Sequence, residues 1–280
     1  MEDVIKIAAP FFIFPLVALG FMWALKLLDG RRTSFNEDDQ MISGKNLAVS
    51  LRKSGMYLGL AFGLAGTFFG PSHGLATDLT NFMIAGIVLL VLLFVAFVIN
   101  DKVILCRVDG DKSISEGNTA VGLVEFASYL SSGIIMHGAF SGEGGGLPAA
   151  AVFFLLGQAG LVIAFYLLEA LTPRNICEEI ELRQNAAAGM DVAGMLIALS
   201  IILRSSLAGP FTGWVPGLKG FGLYLVAGLI ALAVFRFLGN RIFVPGSSYD
   251  QQISVARNLP AATLSSVVQV GLALVIAGTF

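Results

Sequence analysis

Apolar residues fall in eight long runs, at residues 5–28, 47–69, 79–100, 118–139, 148–170, 186–207, 220–239 and 260–279, with short polar stretches between them. A helix needs about 20 consecutive apolar residues to cross a bilayer core about 30 Å thick, so each run predicts one spanning helix. The pattern predicts an all-α, polytopic membrane protein of eight transmembrane helices. The opening MEDVIKIAAPFF has an acidic flank and no small-x-small cleavage site, so it reads as a retained helix rather than a signal peptide.

The polar stretches repeat. Four times a short polar segment containing Ile leads to an Asn, and an apolar helix follows: DDQMISGKNLAVS (38–50), DKSISEGNTAVG (111–122), EEIELRQNAAAG (178–189) and DQQISVARNLPAA (250–262). The asparagines Asn46, Asn118, Asn185 and Asn258 are 72, 67 and 73 residues apart, which defines a unit of one helix, a connection and a second helix. Two units make a half. LLDGRRTSFNEDD (27–39) resembles LLEALTPRNICEE (167–179), and Asn100 meets Asn240 at the same 140-residue offset.

The expected organisation is a first four-helix half at 1–140, made of repeats 1–72 and 73–140, and a second at 141–280, made of repeats 141–208 and 209–280. Each unit crosses the bilayer twice, so the copies are parallel repeats about an axis along the membrane normal. A pseudo-fourfold ring of helix pairs, or a pseudo-twofold pair of halves, is the natural packing.

SFNE (34–37), SISE (113–116), NICE (175–178) and SYDQ (248–251) each place Ser or Asn three residues before Glu or Gln. That is the capping-box arrangement, so the second helix of each unit is expected to start outside the membrane, with its Asn one to three turns in. The signatures, IELRQNAAAG (180–189) above all, resemble those of the YjfL-type proteins, an uncharacterised bacterial inner-membrane family built from a duplicated two-helix unit. The resemblance covers the whole chain as two tandem copies. It implies a multi-pass inner-membrane location, no settled activity, and an association with membrane-stress and polyamine-related genes.

Composition agrees with the pattern: 56% of the 280 residues are hydrophobic and 13% charged, and the mean hydropathy is +0.83. The net charge of −2 offers nothing for nucleic acid. Arg31, Arg32 and Lys45 follow the first run, Lys102, Arg107 and Lys112 the third, Arg174 and Arg183 the fifth, and Arg241 and Arg257 the seventh. Beyond Lys219 and Arg204 the other connections hold little, so the positive-inside rule makes the charged loops cytoplasmic and both termini periplasmic. Cys106 and Cys177 then lie in reducing cytoplasm, where neither a disulfide nor a zinc site is expected.

Among the charges inside apolar runs, Arg52, Lys53, Glu125 and Asp191 lie at matching depth in the second helix of their units. Lys53, Glu125 and Ser265 lie seven residues after their Asn, and Arg52 and Asp191 six after theirs, about 9 to 10 Å deeper along a helix. Each unpaired charge at mid-bilayer costs about 2.5 to 3.5 kcal/mol, so the four must be paired, hydrated or neutralised. Pairing between repeats would lock the assembly and gives Asp191 a partner in Arg52 or Lys53. A hydrated path of protonatable Glu125 and Asp191, and snorkelling of Arg52 and Lys53, are the other readings.

The asparagines either cap and bridge neighbouring helices or form a ring of amides at the cytoplasmic mouth. Gly55, Gly59, Gly63 and Gly66 form a strip for close helix approach. SYLSSG (128–133) and ATLSSV (262–267) supply hydroxyl faces, Gln158 and Gln269 can bond across helices, and His73 and His137 belong near the far side. The Gly run SGEGGG (141–146) is a connection. No phosphate loop, metal cluster or nucleophile with a base is present, so no enzyme, metal or cofactor is expected.

The chain therefore points to a membrane protein whose pseudo-symmetric core forms a site or pathway for a small ion or proton, with a homo-oligomer open to it. The alternative is a non-transporting scaffold that recruits a cytoplasmic membrane-stress partner through its charged loops.

Overall fold

The computed structural model describes residues 2–68, 72, 74–104, 109–142, 145–208, 211–243 and 248–279; side chains are described from residue 10 on, excepting 100 and 101. His73, Cys106, Arg107, positions 143 and 144 of the Gly run, and the side chain of Asn100 lie outside the described residues.

Among the described residues there is no strand, and eight helices have 19 or more residues: α1 (Glu2–Arg32), α3 (Leu47–Ala65), α4 (Leu75–Ile99), α6 (Thr119–Ser141), α7 (Gly146–Leu171), α8 (Ala186–Leu207), α9 (Trp214–Phe243) and α11 (Leu259–Ala277). Three short helices, α2 (Glu37–Ile42), α5 (Gly110–Ser115) and α10 (Tyr249–Ser254), and a π-helical turn at Glu178–Leu182 occupy the charged connections. Seven of the long helices are long and apolar enough to cross a membrane. The eighth long helix, α3, carries Arg52 and Lys53, which lower its hydropathy.

The connections are not the continuous helix starts that the capping boxes predict. Each short helix ends at a residue with positive φ, Lys45 (49°), Gly117 (83°), Gln184 (51°) or Arg257 (48°), and the asparagine comes next. The asparagine N–H closes a bond back across that residue, to Gln40 O at 3.0 Å, Ser113 O at 3.0 Å, Glu179 O at 2.8 Å and Gln252 O at 2.8 Å. At Gly117 this is the Schellman geometry, and the other three bonds close a turn one residue wider; each stops one helix so that the next can start in a new direction.

The asparagine then caps that next helix. Asn46 accepts from Ala48 N and Val49 N, Asn118 from Ala120 N and Val121 N, and Asn185 from Ala187 N and Ala188 N. Asn258 accepts from Ala261 N alone, because Pro260 has no N–H to give. Of the predicted box residues, Asn175 accepts from Glu178 N at 3.0 Å. Ser248 stands at a cap without a side-chain bond, Asn36 rather than Ser34 caps α2, and Asp109 caps α5, leaving Ser113 inside it.

The inner helices α3, α6, α8 and α11 pack side by side in that order. Outer helices α1, α4, α7 and α9 each lie against the inner helix that follows in the chain, and from α4 on also against the inner helix before. Of the two packings expected, the closed ring is not formed: α3 and α11 stand at opposite ends of the row. Small residues bring the inner helices close. A Cβ at Gly55 would collide with the Phe126 backbone, at Gly59 with Tyr129, at Gly122 with Ala48 and at Gly189 with Ala120. Backbone contact of this kind drives helix association in lipid, where the hydrophobic effect is absent. Phe11, Phe12, Leu223 and Phe237 face outward from the outer helices and suit acyl chains.

Candidate functional site

Two buried ion-pair centres sit in the row, one between α3 and α6 and one between α8 and the α9–α10 segment. In the first, Arg52 is fully buried. Its Nη1 is 2.6 Å from Asp111 Oδ1, its Nη2 3.5 Å from Asp29 Oδ1 and its Nε 3.3 Å from Glu125 Oε2. Arg32 joins Asp29 and Asp111, each at 2.9 Å, with its guanidinium over the Phe97 ring. Lys53 pairs with Glu37 at 2.5 Å and reaches Asp29 Oδ2 at 3.9 Å.

Four acids thus face three cations. Burial, and then the charge of Asp29, pushes the Glu37 carboxyl up to about 7 against the pull of Lys53. A cavity of about 290 Å³, lined by α1 and α4 side chains, opens on Asp29, Arg32 and Tyr129 of this centre.

The second centre is built around Asp191. Arg236 grips its carboxylate in a bidentate pair at 2.5 and 2.7 Å, Arg174 reaches Oδ2 at 2.8 Å and the Tyr249 hydroxyl donates to Oδ1 at 2.9 Å. Four hydrogen bonds fill the acceptor sites of a carboxylate. Arg174 continues to Asp250 at 3.0 Å. Burial, then Asp191, raises the Tyr249 hydroxyl above its ordinary value, so it stays a donor. Asp191 therefore does not pair with Arg52 or Lys53 as the depth argument expects. Its cations come from the connection after α7 and from α9, both closer to it in the chain.

A third feature runs along α6, which is buried over most of its length. Glu125, Ser128, Tyr129 and Ser132 follow at three- or four-residue spacing on one face, and all are buried. Ser132 Oγ donates to Ser128 O at 2.8 Å and accepts from Gln158 Nε2 of α7 at 2.9 Å. Farther along, the buried His137 accepts through Nδ1 from Arg204 Nε of α8 at 3.1 Å. On α11, Gln269 bonds within its own helix to Ser265 at 3.2 Å, and Ser265 donates to Asn240 at 2.7 Å. Cys177 is buried with its Sγ 3.4 Å from Glu169 Oε2.

The four asparagines do not converge on a mouth. Asn46 Nδ2 donates to Ile114 O at 2.9 Å, Asn118 Nδ2 to Ile180 O at 3.0 Å and Asn185 Nδ2 to Ile253 O at 2.8 Å, each tying one helix pair to the next. Asn258, last in the row, donates to Gln252 Oε1 at 2.8 Å in its own segment.

Two tandem sets of outer and inner helices, divided near residue 141, agree with comparison to known proteins. The family model described as a Domain of Unknown Function (DUF350) matches the chain twice, over residues 3–140 and 143–280. The chain belongs to this family. A UPF0719 transmembrane protein of Aquifex aeolicus (strain VF5) is 24% identical over 236 residues, covering 81% of this chain and 85% of the relative. Another, from Mycolicibacterium paratuberculosis (strain ATCC BAA-968 / K-10), is 28% identical over 105 residues, 38% of this chain and 69% of the relative. No solved structure matches. The chain is thus a tandem duplication within an uncharacterised family of multi-pass transmembrane proteins.

The structure brings Arg52, Lys53 and Glu125 together and sets Asp191 apart. Sequence reasoning missed Asp29, Glu37, Asp111, Arg174, Arg236 and Tyr249. Arg236 was open to discovery, since it lies inside the apolar run 220–239 and needs a partner as much as Asp191 does. The others lie in polar connections, where a charge gives no sign that it will be buried.

Proposed function

We propose that the protein provides a proton pathway across the membrane along α6, entered from the cytoplasmic side at Glu125. The observation that carries this reading is the line of buried polar groups on that helix, from Glu125 through Ser128, Tyr129 and Ser132 to His137. Protons pass along hydroxyl, carboxyl and imidazole groups with intervening water and need no open pore, and intramembrane ionisable residues mark such relays. In this reading Glu125 is where the proton enters the line. Asp191, held by two arginines and a tyrosine, organises the second half.

In this reading the membrane is the bacterial inner membrane, with the short helices in the cytoplasm and both termini periplasmic. Four helix pairs at 1–72, 73–140, 141–208 and 209–280 are the building units, and α3 is the eighth span, its two cations neutralised by Glu125, Asp29, Asp111 and Glu37. A second reading, a non-transporting scaffold for a cytoplasmic partner, draws on the ion pairs that Arg52, Lys53 and Asp191 make within the fold.

Proton flux in reconstituted vesicles separates the two. The unmodified protein is expected to dissipate an imposed pH gradient and Glu125→Gln to lose that activity while remaining folded. Flux no greater than in empty vesicles, with folded protein present, removes the pathway and leaves the scaffold.

A further inference from the structure

We propose that a second copy of this chain packs its α3 against the free face of α11, extending the row of inner helices from molecule to molecule with both chains in the same orientation. The three inner-helix junctions share one register. Counting from each capping asparagine, position +9 of one helix meets position +8 of the next: Gly55 lies on the Phe126 backbone and Gly194 on Ser266. Position +2 likewise meets +4, with Ala48 against Gly122 and Ala120 against Gly189. The forward face of α11 and the backward face of α3 are the two surfaces that this register leaves open.

Both open faces keep small residues at the register positions, beside the exposed Leu58 on α3 and Val267 and Leu274 on α11. On α11 the forward positions Val267, Gly271 and Gly278 are exposed, whereas their counterparts on α3, Gly55, Gly59 and Gly66, are buried. On α3 the backward positions include Ser54 and Ala65, both exposed, and Ala61, half-buried, where α8 has the buried Ala193 and Ser200. Of the α6 and α8 spans 83% is buried, of the α11 span 28%. Small residues make poor lipid-facing surface, since they give up contact to acyl chains, and good helix-facing surface.

The hydrogen-bond pattern is also unfinished at its ends. Asn46, Asn118 and Asn185 donate to a carbonyl of the next short segment; Asn258 has no next segment, and Met41 O, five residues before Asn46 as Ile180 is before Asn185, has no preceding asparagine. In the extended row Asn258 donates to Met41 O of the second copy. Charge fits as well. Position +6 is Arg52 on α3 and Asp191 on α8 but Val124 on α6 and Leu264 on α11, so α11 brings no charge there, and Lys53 at +7 of α3 is already paired with Glu37. A head-to-tail contact of this sort closes into a ring or grows as a filament according to its rotation.

The test uses two differently tagged full-length copies, one Ser54→Cys and one Val267→Cys, co-expressed and oxidised in native membranes, with the unmodified chain and its two native cysteines as background. A disulfide-linked pair carrying both tags is expected. Adding Gly271→Leu to the second copy should cut that yield at least tenfold while leaving the unfolding temperature of the dispersed single chain unchanged, because no atom of the chain lies within 4 Å of a Cβ at Gly271. No mixed product above background, or Ser54 and Val267 variants that each cross-link as readily to themselves, overturns the proposal.

Discussion

Arg52 and Asp191 occupy the same place in the two halves of the chain, six residues beyond Asn46 and Asn185, and carry opposite charges. Each is the hub of a buried centre that fastens one inner helix to the following segment. The duplicated fold therefore keeps the position of the lock while inverting its sign.

Because the two centres share no residue, their contributions should add. Arg52→Met leaves Glu125, Asp29 and Asp111 short of a cation, and Asp191→Asn leaves Arg174 and Arg236 facing an amide; each is expected to lower stability by about 3 to 5 kcal/mol. Denaturant titration of the double variant should give the sum within about 0.5 kcal/mol. A coupling of several kcal/mol would mean that the two hubs communicate.

Much of this architecture was legible in the chain. The apolar runs located the eight long helices, and the recurring asparagines located four equivalent starts, because burial in lipid and helix capping each impose a local residue pattern. What the pattern could not convey was direction. Whether Asn185 sits inside a helix or caps one depends on the φ of Gln184, and a glutamine does not advertise a left-handed backbone as Gly117 does. The partner of Asp191 was hidden for a similar reason. Equal depth made Arg52 and Lys53 candidates, but depth says nothing about which helices are neighbours, and α3 packs on α6 rather than α8.

Gly59 and Gly222 make a matched pair for testing what fastens the row. A Cβ at Gly59 would strike the Tyr129 carbonyl, whereas one at Gly222 of α9 meets nothing within 4 Å. Gly59→Val should force α3 off α6 and cost about 1 to 3 kcal/mol or more. Gly222→Val should leave the melting temperature in detergent nearly unchanged; equal losses at the two sites would show that close approach of α3 and α6 is not what matters.

The asparagines should differ in weight along the row. Asn118→Ala removes a cap and leaves Ile180 O and Glu181 O without the amide that reaches them, at an expected cost of about 2 to 3 kcal/mol. In the dispersed single chain Asn258→Ala removes a one-bond cap, and about 1 kcal/mol is expected. Unfolding curves of the two variants under identical detergent conditions check the order.

The surplus acid of the first centre makes stability depend on pH with a definite sign. Glu37 ionises near 7 in the folded protein and near 4.5 when unfolded, so between those values the folded state holds a proton that the unfolded state has released. Raising the pH through this window therefore favours unfolding, and the contribution is fully present only below about 4.5. Glu37→Gln imitates the protonated form at every pH and keeps a group that Lys53 can donate to. The variant is expected to match the unmodified protein in melting temperature at about pH 4 and to exceed it at about pH 8. If the variant instead melts lower at the higher pH, the charged pair with Lys53 outweighs the burial of the carboxylate and its closeness to Asp29.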